Sequence, residues 1–204
     1  MGDVIRGGWD DVEKTKGARR KSASHEPVYQ LKVVLIGSKP PIWRRLLVRR
    51  DVTLEMLHYI IQEAMGWTNS HLHLFEVKGH QYSLPEFELD GTMNASRVKL
   101  HQIAAQPKTK FRYEYDMGDG WLHEIILEKI LPAEAGQQYP DCVGGARACP
   151  PEDCGGVWGY EELLAATHDS THERHEELME WLGGSFDPEA FDLKEIRKLL
   201  KKLT

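Results

Sequence analysis

Apolar and polar positions alternate in two successive runs near the start of the chain, and this pattern sets the first expectations. Val28 to Ile36 is rich in β-branched residues and ends at the turn cluster Gly37-Ser38-Lys39-Pro40-Pro41. In the second run, Ile42 to Arg49, Ile42, Leu46 and Val48 share one face with Arg44, while Trp43, Arg45, Leu47 and Arg49 point the other way. The pair predicts an antiparallel hairpin. Thr53 is a good helix N-cap, Leu54, Leu57, Ile60, Ile61 and Ala64 follow helical spacing, and Gly66 stops the pattern, so 54–65 is expected to be an amphipathic helix. Leu72 to Val77 and Gln81 to Leu84 read as a second hairpin, and Val98 to Ala105 as a short helix. Lys110 to Asp116 and Trp121 to Leu131 form the clearest hairpin, joined by Met117-Gly118-Asp119-Gly120. A long Gly/Pro/Cys loop, 132–158, precedes three helices at about 159–168, 172–182 and 188–202.

This order predicts an α+β domain over 28–204: a mixed or antiparallel sheet built from hairpins, one covering helix in a β-grasp-like arrangement, and a C-terminal helical layer. Residues 1–27 carry Gly, Lys, Arg, Ser and Asp without apolar periodicity and are expected to be a flexible tail, with Trp9 its one aromatic.

Composition narrows the function classes. The 204 residues are 41% hydrophobic, enough for one core, and no apolar run approaches the roughly 20 residues of a membrane helix. The N-terminus lacks a secretory apolar segment and three cysteines make no disulfide framework, so a cytoplasmic protein without a membrane partner is expected. The net charge of −6 disfavours a nucleic-acid partner. Charge is nevertheless uneven. Pro27 to Arg50 holds six basic residues and no acid, whereas from Pro132 to Asp192 acids outnumber bases by twelve.

Several motifs then occur in order: Ile42-Trp43-Arg44-Arg45, Leu57-His58 with Gly66-Trp67, His71-Leu72-His73-Leu74-Phe75, Tyr115 to His123, Cys149-Pro150-Pro151-Glu152-Asp153-Cys154-Gly155-Gly156 with Gly159-Tyr160, and Asp187-Pro188-Glu189. Together they resemble the plasmid pRiA-type ORF-three-like family over roughly Val28 to Leu200, with Met117 standing where Phe is expected. The resemblance implies no established activity. Some relatives are labelled passenger proteins of insertion elements, which implies genomic neighbourhood and not mechanism.

The residues themselves offer competing chemistry. Cys142, Cys149 and Cys154 are spaced unlike paired zinc knuckles; with His123 they could complete a tetrahedron, but buried free thiols are the expectation. Asp116, Asp119 and His123 surround a turn, and with Glu152 and Asp153 they make the candidate catalytic set of a metal-dependent hydrolase or nuclease. His71 and His73, two apart, are expected to point the same way, with no third ligand nearby in sequence. Trp43, Arg44, Arg45, Gly155, Gly156 and Tyr160 are candidate binding residues, and the arginines are expected to meet the loop carboxylates. His168, His172 and His175 lie among acids on an expected solvated surface. No Walker or dinucleotide loop is present, and no cofactor is expected. The leading expectation is a non-enzymatic binding or adaptor module for a protein or a small anionic ligand, working where the Arg44 strand, the Asp116–His123 hairpin and the 149–160 loop meet. The hydrolase is its first rival and a nucleic-acid accessory protein its second.

Overall fold

The computed structural model describes residues 26–204. The expectation for the tail falls almost wholly on residues 1–25, outside the described residues. The first hairpin forms as the alternation dictates: β1 (Val28–Leu35) and β2 (Trp43–Arg49) pair antiparallel with Leu31 opposite Leu46. The helix that follows, α1 (Leu54–Met65), begins where the Thr53 hydroxyl accepts the Met56 amide at 3.1 Å. It ends at Gly66, whose φ of 92° lets its own amide reach the Gln62 carbonyl at 2.8 Å.

The second hairpin is β3 (His73–Val77) and β4 (His80–Ser83), followed by the short β5 (Met93–Asn94) and the four-residue α2 (Leu100–Ile103). β6 (Lys110–Tyr115) and β7 (Trp121–Leu131) form the third. β8 (Asp141–Ala146) lies inside the segment read as one long loop. Its Gly144 and Gly145 hide it from any alternation pattern, and a Cβ at Gly145 would come within 2.4 Å of the Phe191 ring. The helices α3 (Gly156–His168), α4 (His175–Leu182) and α5 (Leu193–Leu200) finish the chain. α5 starts later than the expected 188 because Asp192 supplies the cap, accepting from the Lys194 and Glu195 amides at 2.9 and 3.0 Å.

The eight strands of the described residues join one sheet in the order β5-β4-β3-β6-β7-β1-β2-β8. The described strand pairs are antiparallel except β4 with β5. The α+β class therefore holds, with α1 over the sheet and a C-terminal helical layer. Leu31, Leu46, Leu57, Ile60, Ile61 and Trp121 are fully buried in one core, each aliphatic side chain contributing about 1.5–3 kcal/mol. Among the described residues no helix is long and apolar enough to cross a membrane.

Candidate functional site

Three segments that are far apart in sequence meet at one end of the molecule: the chain after α1, the β6–β7 turn, and the loop leading into α3. Side chains weld them. The Trp67 indole donates to the Pro150 carbonyl at 3.0 Å and its ring stacks on Tyr115 at 5.0 Å. The Thr68 amide and hydroxyl donate to Glu152 Oε2 at 3.0 and 2.5 Å, and the Tyr115 hydroxyl donates to Glu152 Oε1. Burial, reinforced by that carboxylate, raises the Tyr115 pKa and keeps the phenol protonated. Asp119 Oδ2 accepts from the Gly155 amide at 3.2 Å. Gly156, at φ 67°, passes so close to the turn that a Cβ would lie 2.3 Å from the Asp119 carbonyl. Glu152 and Asp119 are thereby occupied in holding loops together.

Three groups at this end are not used up in this way. Asp116, at φ 56°, fixes its Oδ1 on the Gly118 amide at 2.9 Å and turns Oδ2 towards His71 Nδ1, 3.8 Å away. Asp153, at φ 62° and with a side chain 70% exposed, places Oδ1 3.3 Å from His71 Nε2. One nitrogen of His71 and one oxygen from each carboxylate all lie within 4.8 Å of one another; among the described residues no other three His, Cys, Asp or Glu side chains converge so closely.

Beyond Asp153 the surface changes character. Trp158 is 82% exposed and Trp181 47% exposed, on α3 and α4. A cavity of about 110 Å³ lies between these helices, lined by Asp153, Cys154, Gly159, Glu162, Arg174 and Trp181 among others. From Asp153 to Leu182 the chain has eight acidic residues and one arginine. That arginine, Arg174, is gripped by Glu162 at 2.5 Å and Glu177 at 2.6 Å.

The remaining sequence candidates are divided among other surroundings. His123 does not join Asp116 and Asp119: it lies on the inner face of β7, fully buried, edge-on to Trp67 at 5.4 Å, with its pKa pushed down to about 4 by burial. Arg44 meets no carboxylate. Its guanidinium donates to the carbonyls of Ala64, Trp43, Ala146 and Arg147 at 2.8–3.0 Å. Arg45 points to the other face of the sheet and pairs with Glu128 at 2.7 Å. There the ring of Trp43 is covered by Lys32 at 5.2 Å and Arg45 at 5.0 Å, which occupies the aromatic face a nucleobase would need. Tyr160 is buried in the core. Burial raises the thiol pKa of Cys142 and Cys149 and pushes that of Cys154 up to about 12, the opposite of what a thiolate nucleophile or ligand needs. His73 does not accompany His71; it is buried and stacked on His58 at 3.5 Å.

Neither exposed tryptophan stands out in a hydrophobicity pattern. Helical spacing does reveal Trp158, which shares a stripe with Glu161, Glu162 and Ala165 and so falls on the polar side of α3.

With this geometry in place, the comparisons are specific about ancestry. A family model described as plasmid pRiA4b ORF-3-like protein matches residues 27–195. The uncharacterized protein y4hQ of Sinorhizobium fredii (strain NGR234) is 41% identical over 179 residues, spanning 86% of this chain and 92% of that protein. A crystal structure of a protein of unknown function, MM3350 from Methanosarcina mazei Go1, superposes with a TM-score of 0.76 at 41% identity, covering 84% of this chain and 98% of the other.

Proposed function

The chain belongs to the plasmid pRiA4b ORF-3-like family, and on that premise we propose that it is a non-enzymatic binding module whose working surface is the acidic, tryptophan-bearing face of α3 and α4. The partner that fits this face is a cationic segment of another protein, rich in Lys and Arg. The observation that carries the reading is the pair of exposed tryptophans, Trp158 and Trp181, set among acids whose one neighbouring arginine is already paired. Two large aromatic side chains left in water on neighbouring helices offer apolar surface of the kind an interaction site uses. A tryptophan face attracts a Lys or Arg cation, and the surrounding carboxylates add charge complementarity and a faster encounter. A hydrolytic centre built on Asp119, His123 and Glu152 finds less support, because Glu152 and Asp119 are held by loop amides and hydroxyls and His123 is buried away from both.

The test is a titration of the protein with a fluorescently labelled Lys/Arg-rich peptide, beside an acidic peptide of equal length. Trp158→Ala is expected to weaken binding of the basic peptide about tenfold, the loss of one desolvated cation–aromatic contact. Raising the salt concentration should weaken it further. Equal affinity in Trp158→Ala and the parent chain, or loss of binding in Trp43→Ala instead, would move the surface elsewhere.

A further inference from the structure

We infer that His71, Asp116 and Asp153 form a binding site for one divalent transition-metal cation, held by one imidazole nitrogen and two carboxylate oxygens, with its remaining coordination positions open. The first reason is spacing. One donor atom from each side chain lies within 4.8 Å of the other two, and the carboxylates approach the ring from both sides, Asp153 Oδ1 3.3 Å from Nε2 and Asp116 Oδ2 3.8 Å from Nδ1. Ligands on a cation with bonds of about 2.1 Å stand roughly 3.0–3.5 Å apart, so a small adjustment of the exposed Asp153 side chain closes the set.

The second reason is independent of spacing. His71 Nε2 is buried and makes no hydrogen bond. The Asp116 side chain is nine-tenths buried, with Oδ1 held by the Gly118 amide and Oδ2 3.8 Å from the imidazole. Buried polar atoms are normally paired, and a cation bound at His71 Nε2 would satisfy that nitrogen while its charge offsets the Asp116 and Asp153 carboxylates beside the ring.

The third reason is support. Asp116 Oδ1 is anchored on the Gly118 amide, and the His71 ring packs edge-on against Tyr115 at 5.7 Å, itself tied to Glu152. Outer contacts of this kind orient metal ligands before the metal arrives. The donor set of one nitrogen and two oxygens suits zinc or manganese better than a soft, thiolate-seeking ion. It also supplies the third ligand absent from the sequence neighbourhood of His71. The site lies beside the α3–α4 face and does not depend on what that face binds.

The protein is stripped with chelator, dialysed, and titrated calorimetrically with zinc chloride or manganese chloride alone, with metal content then measured by elemental analysis. One cation per chain is expected, with affinity at least about tenfold lower in His71→Ala and in Asp153→Asn. Asp153→Asn is the decisive variant: the side chain is exposed and Asn tolerates the left-handed backbone, so its melting curve should match the parent. The double variant Cys149→Ser, Cys154→Ser should bind as the parent does, and so should Trp158→Ala. Absence of binding, binding indifferent to both ligand substitutions, or binding abolished by the cysteine substitutions would each overturn the assignment. None of these outcomes bears on peptide docking, which is read separately.

Discussion

Arg44 has the side chain most thoroughly engaged through hydrogen bonds. It joins α1, β2 and the end of β8 through four carbonyls, and its guanidinium lies 5.0 Å from the Phe191 ring. The alternation of its strand places it correctly on the inner face with Ile42, Leu46 and Val48. Its partners are invisible in sequence, because backbone carbonyls exist at every position and carry no residue-type signal; the arginine therefore reads as one seeking carboxylates. A lysine offers a compact point charge in place of a planar fork, so Arg44→Lys leaves several buried carbonyls unpaired. The expected cost is about 3 kcal/mol, read as a lower midpoint in urea with an unchanged slope. A loss under about 1 kcal/mol would show that the carbonyls find other donors. Gly156 makes a parallel case at the loop junction. Gly156→Ala introduces a Cβ 2.3 Å from the Asp119 carbonyl at a positive φ, and should destabilise the chain by a few kcal/mol, about 2 or more.

At the scale of elements, capped and periodic segments were the legible ones. α1 runs from its Thr53 cap to its Gly66 stop as the spacing predicts, and the three hairpins follow their alternation. β8 was not legible, since Gly144 and Gly145 take the place of side chains that would have shown a pattern. The packing of α1 on β3 and β7 also buries three histidines that sequence alone leaves as ordinary polar residues. His58 hydrogen-bonds the Tyr113 hydroxyl and Asn69, and stacks on His73, whose two nitrogens are unpaired. Burial pushes their pKa values down, to about 4 for His58, about 3 for His73 and about 4 for His123. An unfolded histidine titrates near 6.5, so below that pH the unfolded chain takes up protons that the folded chain refuses. Stability is therefore full above about pH 6.5 and falls steadily towards the folded values. Each histidine contributes of the order of 2 kcal/mol of loss between pH 6.5 and 5. Urea midpoints measured from pH 7.5 to 4.5 should show this slope, and His73→Phe should make it shallower by one histidine's share. A midpoint unchanged down to pH 5 would mean that these rings are solvated.

Across the whole molecule, three of the motif-bearing segments meet at one end, while the charge they were expected to share does not. The basic second strand pairs with β8 of the acid-rich segment through its backbone and not through charge: Arg44 is spent on carbonyls, Arg45 on Glu128 across the sheet, and the acids of α3 and α4 keep their negative surface. The excess of acids was legible from composition. Its pairing was not, because residues such as His71, Asp116 and Asp153 are brought together by sheet order and not by spacing in the chain. The surplus negative charge and the exposed Trp158 and Trp181 of these helices are the basis of the proposed binding surface. Hydrogen–deuterium exchange with and without a saturating Lys/Arg-rich peptide tests that most directly. Added protection is expected over 156–182, covering α3 and α4, and none on strands β1 and β2. Protection confined to β1 and β2, or unchanged exchange throughout α3 and α4 at saturation, would contradict it.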